Sequence, residues 1–455
     1  MKRKPLFLVL ASAAVLGTVL VSSCKKDGQA PADRALSATQ IIPSNPTLSG
    51  VLGTGHNIKD TIRLTSSVAW HLSGLVYVDS SDVLIIDAGT TIRGDVSSSA
   101  TVPGGGLVVT RGAQILATGS STSPIVFTSA ATTPASGDWS GLVILGNAST
   151  NHAGRVQVEG IPTNPPANAT YGGSVGTNDA DNSGILQYVR IEYAGYELST
   201  DNEINGLTLA GVGSGTTIDF VEVFKSKDDS FEFFGGTVNA SHLLSVDGLD
   251  DMFDTDNGYR GTITYALGLA DTTRADKSTS NGFESDNNST GTSATPLTNP
   301  TYNNITIVGL QNAARASVVN GAPSGTGKYG RSAHLRRNAR FTITNSLFLG
   351  YNYGLSQDLQ LGSTSGTLTN NFVHAFTRPY TTEINGASFT PITPAAGNDS
   401  SKAVNPNANI ALVSPFSRSA IGNFVPSAVA SAANKLRGAF PTGNTTWANT
   451  WTRLQ

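Results

Sequence analysis

Carboxylate side chains recur in three segments near the middle of the chain: KDDSFEFFGG (227–236), LDDMFDTDNG (249–258) and TSNGFESDN (279–287). Only 13% of all residues are charged, so this concentration of acids is local. Clustered carboxylates serve two kinds of chemistry. One acid can protonate a glycosidic oxygen while another activates water, or several oxygens together can bind a hard cation such as Ca²⁺. The three segments therefore predict a site for sugar chemistry, for calcium, or for both.

The segments align on their Phe-acid pairs, with 22 residues from Phe231 to Phe253 and 30 from Phe253 to Phe283. A turn of about 22 residues with variable loops is typical of a solenoid, whereas a propeller blade needs roughly 40 residues. We therefore predict a right-handed parallel β-helix with these three phenylalanines stacked inside. Because side chains alternate along a strand, two outward columns follow: Glu232, Asp254 and Glu284, and beside them Phe234, Asp256 and Asp286.

Candidates for ligand binding lie on these columns or close to them in the aligned turns. They are Asp229, Glu232, Phe234, Asp251, Asp254, Asp256, Tyr259, Glu284, Asp286, Arg331 and Arg336. Like charges on adjacent strands destabilise a sheet, so a counter-charge is expected. Calcium is the only cofactor predicted, with possible ligands Glu232, Asp254, Asp256, Glu284 and Asp286.

Two purely structural interpretations of the acids stay open. The first Asp of each pair, Asp228 or Asp250, is expected to cap a turn through its side-chain oxygen. The stretch 291–344 contains six basic residues and no acid, so ion pairs between neighbouring turns also account for the charge pattern.

The elements that must position these residues are strands. The 49 Gly, the many Thr, Ser, Asn and Val, and short runs such as GGLVVTRGAQILATGS (105–120) favour strands and turns over helices. The best helical stretch is 426–437. Acids and bases nearly balance, at 32 and 29, so no basic field argues for nucleic acid as a partner. The sequence predicts an all-β chain.

The N-terminus carries a basic MKRK, an apolar LFLVLASAAVLGTVLV and a small-residue VSSC that ends at Cys24, which together indicate an export signal. The apolar run is shorter than the roughly 20 residues that span a bilayer. Cys24 is the only cysteine, so no disulfide is expected. We predict a signal peptide at 1–23, a tether at 24–47, the β-helix at 48–387 and a loop-rich C-terminal cap with a short helix at 388–455.

Several of these motifs resemble those of known proteins. VSSC resembles a bacterial lipobox, which implies cleavage before Cys24 and a lipid anchor on its thiol. GDWSGLVILGNA (137–148), EINGLTLAGVGSGTTIDFVEV (203–223) and the three acidic segments resemble a family of large Bacteroidota cell-surface lipoproteins, which are predicted β-helices. That resemblance, which runs from about residue 48 to the C-terminal GAFPTGNTTWANTW, implies an outer-membrane location with probable surface exposure. It implies no particular reaction.

The predicted fold is similar to that of pectate lyases, polygalacturonases, phage tailspikes and adhesins, and a fold by itself does not choose a function. The chain lacks the Gly-His-Gly and Arg-Ile-Lys signatures of polygalacturonases. A lyase would use Ca²⁺ with an arginine base, for which Arg260, Arg331 and Arg336 are the candidates. His242 and His334 lie in strand-like runs and are interpreted as structural wall residues.

Three functions therefore remain at this point. The preferred one is a non-catalytic lipoprotein that binds extended polysaccharide. The alternatives are a polysaccharide lyase or glycoside hydrolase that uses the same acidic face, and a calcium-stabilised structural or adhesive rod. Trp447 and Trp451 are assigned to a cap over the open end of the solenoid, since an uncovered strand edge invites association. The oligomeric state stays open.

Overall fold

The structure is a computed structural model. It describes residues 40–53, 59–97, 103–162, 164–166, 168–174, 176–199, 202–319, 325–442 and 447–455. The predicted signal peptide, Cys24 and most of the predicted tether lie outside the described residues. No helix in this part of the chain is long and apolar enough to cross a membrane.

Strands make up nearly all of the regular structure among the described residues. The first ten are β1 (Gln40–Ile41), β2 (Thr47–Leu52), β3 (Thr61–Leu64), β4 (Trp70–Val78), β5 (Val83–Ile86), β6 (Thr91–Gly94), β7 (Gly106–Val109), β8 (Gln114–Thr118), β9 (Ile125–Ser129) and β10 (Gly141–Leu145). The next ten are β11 (Gly184–Glu192), β12 (Glu197–Ser199), β13 (Asn202–Glu203), β14 (Leu207–Ala210), β15 (Thr217–Phe224), β16 (Phe231–Phe234), β17 (Ala240–Val246), β18 (Phe253–Asp256), β19 (Thr262–Thr264) and β20 (Leu267–Leu269).

The last ten strands are β21 (Phe283–Ser285), β22 (Thr301–Asn303), β23 (Thr306–Val308), β24 (Arg331–Leu335), β25 (Arg340–Thr344), β26 (Leu347–Asp358), β27 (Ser365–Thr369), β28 (Phe372–Ile384), β29 (Ala387–Pro391) and β30 (Asp399–Ser401). Helical structure is limited to α1 (Ala313–Ala316) and two 3-10 turns, Ile421–Phe424 and Asn434–Leu436.

The strands form a right-handed parallel β-helix, as predicted. Each complete turn contributes to three parallel sheets. The groove sheet contains β2, β4, β7, β10, β14, β16, β18, β21, β24, β26 and β28. The second sheet contains β1, β3, β5, β8, β11, β15, β17, β19, β22, β25 and β27. The third sheet contains β6, β9, β20, β23 and β30, together with parts of the long strands β2, β4, β11, β15, β17, β26 and β28, which bend to serve two sheets.

The predicted phenylalanine ladder is confirmed inside the solenoid. Phe231 pairs with Phe253 and Phe253 with Phe283, and all three side chains are fully buried. The ring centroids are 5.3 Å and 5.7 Å apart. Burying each ring stabilises the fold by roughly 1.5–3 kcal/mol. The same register sets Glu232, Asp254 and Glu284 side by side on the outer face, as the alternation requires.

A second ladder lies at the sharp corner between the second and third sheets. Tyr188, Phe220, His242 and Tyr265 occupy this corner in successive turns, each with a φ between 51° and 56°. Their rings stack at centroid distances of 4.4, 4.4 and 5.3 Å. A positive φ turns the side chain outward at each corner, so neighbouring rings lie face to face. His242, whose Nδ1 is 2.7 Å from Asp219 Oδ1, therefore belongs to this structural ladder, as predicted.

The C-terminal tail differs from the predicted end cap. Residues 404–442 and 447–455 run back along the side of the solenoid and pack on the apolar outer face of the third sheet. At the last turn, Arg437 forms a 2.6 Å ion pair with Asp399. Many turns earlier, the ring of Trp451 packs against that of Tyr188, with 5.7 Å between the ring centroids. The third sheet carries apolar side chains on its outer face, and these need a cover along their whole length.

The boundaries of the solenoid shift accordingly. Its first strand is β1, before the predicted start at residue 48, and its last parallel strand is β30, beyond the predicted end at 387. The helix predicted over 426–437 is reduced to the 3-10 turn at 434–436. The side chain of Asn434 bonds the backbone carbonyls of Asn409 and Ile410, so the tail is fixed by contacts that an isolated helix does not need.

Candidate functional site

The outer face of the groove sheet changes character along the solenoid. In the early turns it is apolar: Val143, Leu145 and Ala210 are covered by the insertion 146–183, through side chains such as Ile161 and Tyr171. From β16 to β21 most outward positions are acidic: Glu232, Asp254, Asp256 and Glu284. The insertion therefore ends where a groove begins.

This acidic groove has a volume of about 470 Å³. Four basic residues line it: Lys227, Lys277, Arg336 and Arg337. Thirteen carboxylates line it as well: Glu159, Glu197, Glu203, Asp228, Asp229, Glu232, Asp250, Asp251, Asp254, Asp256, Asp276, Glu284 and Asp286.

The strand register brings the predicted carboxylates into contact distance. In one group, an oxygen from each of Asp229, Glu232 and Asp254 lies within 4.8 Å of the others. Asp251, Asp254 and Glu284 form a second group with the same limit, and Asp228, Asp229 and Asp250 a third. Asp254 belongs to two groups, so a cation held by either one contacts the same central carboxylate.

Burial raises the pKa of Asp229, Asp251 and Asp254 well above the usual range, and neighbouring carboxylates raise it further. Burial, and after it the neighbouring carboxylates, also raise the pKa of Glu232. One oxygen of Asp254 and one of Asp250 are buried without a hydrogen bond from the described residues. These carboxylates accordingly favour a bound proton or a bound cation over the bare charge.

The C-terminal side of the groove is neutralised differently. Arg336 pairs with Glu284 and also donates to Asp286 over 2.9 Å, and Arg337 donates to Asp286 over 2.6 Å. Burial alone would raise the pKa of Glu284, but Arg336, His334 and Arg337 hold it at about 2. Ion pairing between turns therefore accounts for this edge, and not for the first two acidic turns.

A family model described as a pectate-lyase-like β-helix domain matches residues 56–452. The chain belongs to this family. No curated protein and no solved structure matches the chain. Membership agrees with the observed fold, and the residues of the groove must be interpreted from this chain's own geometry.

In this pectate-lyase-like β-helix, the second Asp of each pair bonds the backbone of the next turn, whereas the turn-capping role was predicted for the first, of which Asp250 accepts the Ser278 hydroxyl over 2.6 Å. Asp229 Oδ1 accepts the backbone N–H of Asp251 (2.8 Å), and Asp251 Oδ1 accepts that of Asn281 (2.6 Å). Asn281 continues the series by accepting the backbone N–H of Arg331. Asp228 and Asp250 lie one residue earlier, and their side chains line the groove.

The two aromatic candidates differ in position. Tyr259 is fully buried, and its hydroxyl donates to the carbonyl of Val238 over 2.9 Å, so its ring is not at the groove. Phe234 lines the groove, but it is only 8% exposed because its ring packs against Tyr171 of the insertion. At these two positions no open aromatic ring faces the groove, and charged residues make up most of the groove lining.

The basic candidates also lie differently from expectation. Arg331 is outside the acidic groove and binds Glu383, with 3.0 Å between Nε and Oε1. Arg260 donates to Asp179 and Ser149, away from the groove lining. Arg336 is at the groove, but Glu284 and Asp286 engage it.

Several residues of this site were missed by sequence reasoning. Glu159, Glu197, Glu203 and Asp276 reach the groove from loops and from the β12–β13 hairpin, which have no counterpart in the repeat. His334, interpreted as a wall residue, instead continues the acidic column, since it pairs with Glu284 in the strand register. Extending the alignment by one more turn identifies it, although a 50-residue separation hides that turn.

Proposed function

We propose that the protein binds an extended polysaccharide in the acidic groove, with Ca²⁺ bridging the groove carboxylates and the sugar, and that it catalyses no reaction. The observation that carries this proposal is the stacking of Glu232, Asp254 and Glu284 in one column, where carboxylate oxygens lie within 4.8 Å across adjacent turns.

The oxygen clusters suit a hard divalent cation. Ca²⁺ takes six to eight oxygen ligands, and two overlapping three-oxygen groups leave coordination positions for sugar hydroxyls or water. In the described part of the chain, Asp229, Glu232 and Asp254 form no ion pair, while one oxygen of Asp254 is buried without a hydrogen bond. A cation at this position offsets the like-charge repulsion along the column.

The dimensions and the family support a glycan. Three acidic turns at a spacing of about 4.8 Å extend over roughly 10–15 Å, the length of two or three sugar units in an extended chain. A groove lined by carboxylates matches the many hydroxyl donors of a sugar. The family membership of the fold agrees with a carbohydrate ligand.

Among the described residues, the spacing of the clustered carboxylates and the contacts of Arg336 do not match the groups of an inverting glycosidase or of a lyase with Arg336 as base. An inverting glycosidase needs two carboxyls about 6.5–9.5 Å apart with room for water, whereas the oxygens of each of these groups lie within 4.8 Å of one another. A lyase needs a free base, and Arg336 is held by Glu284 and Asp286. The arrangement favours shared cation binding over proton transfer.

The proposal includes the location of the protein. Cleavage before Cys24 and lipidation of its thiol would anchor the chain in the outer membrane, with the β-helix carried on a tether and exposed at the surface. Palmitate labelling, lost on Cys24→Ser, tests this part separately.

The binding test is affinity electrophoresis of residues 25–455 in gels cast with neutral or acidic polysaccharides, with calcium or with chelator. We expect one glycan to retard the protein only with calcium, and Asp254→Asn to abolish this retardation. The matched control is Asp95→Asn, which removes an exposed carboxylate that faces His71 far from the groove. Release of shortened or unsaturated sugars would instead establish an enzyme. Calcium-dependent melting with no effect of any glycan would establish the rod.

A further inference from the structure

A second cluster of metal-ligating side chains lies beyond the acidic groove, in a pocket of about 580 Å³ at the outer face of β24, β26 and β28. We call it the histidine pocket, since His334 lies at its wall. His334, Asp358 and Glu383 each offer one donor atom, and the three atoms lie within 4.8 Å of one another. Unlike the groove clusters, this set contains an imidazole nitrogen.

The distances within the cluster are short, yet the histidine is not satisfied by hydrogen bonds. His334 Nε2 is 2.8 Å from Glu383 Oε1 and 3.9 Å from Asp358 Oδ2. His334 is 5% exposed, and neither of its ring nitrogens makes a well-directed hydrogen bond to the described residues. Donor atoms that are close but not aimed at one another converge on a common point between them, as ligands of an ion do.

Both carboxylates are oriented by other contacts. Asp358 Oδ1 accepts the backbone N–H groups of Gln360 (2.8 Å) and Asn385 (3.2 Å), which leaves Oδ2 on the side of His334. Glu383 is fully buried, and Arg331 donates to both of its oxygens, from Nε to Oε1 over 3.0 Å and from Nη2 to Oε2 over 2.5 Å, so Oε1 has its second lone pair for an ion. Outer contacts that orient each ligand are a regular property of metal sites.

The second ring nitrogen faces a carboxylate, although the two groups are not aligned for a hydrogen bond. His334 Nδ1 lies 3.4 Å from Glu284 Oε2, on the acidic-groove side. A ligating histidine usually directs its other nitrogen at a carboxylate or carbonyl, which fixes the ring and strengthens the ligand.

We propose that His334 Nε2, Asp358 Oδ2 and Glu383 Oε1 bind a first-row transition metal ion, with Zn²⁺ the best match. Ligands at about 2.0–2.2 Å around a tetrahedral ion are about 3.3–3.5 Å apart, and the observed 2.8 and 3.9 Å bracket this range. One imidazole with two carboxylates is a donor set for Zn²⁺ and not for Ca²⁺, which prefers oxygen alone. His334 and Asp358 line the pocket, which has room for water or a ligand group as a fourth ligand.

The test measures the zinc retained by the folded chain after dialysis. Excess calcium is added to the dialysis buffer so that zinc does not bind to the carboxylates of the acidic groove. We expect about one zinc per chain, and at least a 100-fold weaker zinc affinity for His334→Gln. The matched control is His242→Gln, because His242 also lies 2.7 Å from one carboxylate but has no second carboxylate beside it. This control is expected to keep the zinc.

Two further measurements separate a lost ligand from a lost fold. Asp358→Asn keeps a hydrogen-bond acceptor for Gln360 and Asn385 and is expected to weaken zinc binding while circular dichroism stays unchanged. In the Co²⁺-loaded protein, a solvent-exchangeable, hyperfine-shifted imidazole N–H signal is expected, because only histidine ligation produces it. The proposal is overturned if the dialysed protein holds no zinc, which would mean that a proton on His334 is the cation of this cluster. It is also overturned if His334→Gln holds as much zinc as the unaltered protein.

Discussion

Replacement of Asp254 by Asn tests whether the acidic column is a cation site. At an effective dielectric constant of about 20, two unit charges on adjacent turns about 4.8 Å apart repel by about 3.5 kcal/mol. Asp254 has such neighbours on both sides, Glu232 and Glu284. Burial and the neighbouring acids raise the pKa of Asp254, and Arg336 offsets part of its charge, so the realised gain is smaller. We expect Asp254→Asn to stabilise the calcium-free protein by about 1–2 kcal/mol.

Calcium should reverse this order. A ligand at 100 times its dissociation constant stabilises a protein by about 2.7 kcal/mol. Each tenfold loss of affinity removes about 1.4 kcal/mol of that gain. The unaltered protein therefore gains more from calcium than the variant, which lacks the carboxylate that both groups share.

The assay is thermal unfolding with chelator and then with saturating calcium, for the unaltered protein, Asp254→Asn and the control Asp95→Asn. For a domain of this size, 1 kcal/mol shifts Tm by about 1 °C. The variant should thus melt about 1–2 °C higher in chelator, while the unaltered protein rises about 3 °C with calcium. The reasoning fails if the variant is less stable in chelator, or if calcium stabilises both proteins equally.

Three further predictions concern the same structure. In chelator, stability should fall as the pH rises above about 4, because the folded-state pKa values of Asp229, Asp251 and Asp254 lie above the unfolded value and the bound protons are lost as the pH passes through them. Calcium should flatten this slope in urea titrations from pH 5 to 8. A stability that does not fall with pH in chelator would contradict the burial of these acids, and a slope that calcium leaves unchanged would contradict the cation site. Phe253→Ala should cost about 3–5 kcal/mol in urea unfolding, because it removes the middle ring of the ladder, and a loss below about 1 kcal/mol would show that the ladder is not a core. Arg437→Lys should loosen the tail, because lysine cannot reproduce the contacts of Arg437 with Asp399, Asn370 and the Gly397 carbonyl. Amide hydrogen exchange across 404–442 should become faster, while β16 and β18 stay protected. Equal exchange in both proteins would mean that apolar packing alone holds the tail.

The parallel β-helix and its acidic column were predictable from sequence because both follow from local periodicity. Alternation along a strand and the Phe-acid spacing together specify which side chains lie inside and which neighbours they meet. Phe231, Phe253 and Phe283 show this directly, since their observed pairing is the aligned one.

The errors concern residues whose position depends on contacts distant in sequence. Tyr259 follows the acidic strand β18 in sequence and was therefore predicted to bind ligand with the acids. In the structure the chain turns inward at this point and buries the Tyr259 ring against Phe233. Phe234 points outward as predicted, and the insertion 146–183 then covers it. No short-range pattern in the sequence indicates what an insertion some 60 residues upstream will cover.

The tail shows the same limit at a larger scale. The apolar outward positions of the third sheet, such as Phe224 and Leu244, signal that something must cover that face. A tail that caps the end of the solenoid and a tail that covers its side need the same kinds of apolar residues. Only long-range contacts, such as that of Arg437 with Asp399, distinguish the two arrangements.

The acidic groove and the histidine pocket are consecutive parts of one outward column. Along the groove sheet the register runs from Glu232 to Asp254, Glu284 and then His334. The donors change from oxygen alone to nitrogen with oxygen within a single turn, and Glu284 contacts both parts, through Asp254 on one side and His334 on the other. Because Ca²⁺ prefers oxygen and zinc accepts imidazole, this change is sufficient to place different cations on neighbouring turns. If both proposals hold, loss of the Glu284 charge should weaken calcium binding strongly and zinc binding only 10- to 100-fold, since Glu284 would be a direct ligand of calcium and would only orient His334 toward zinc.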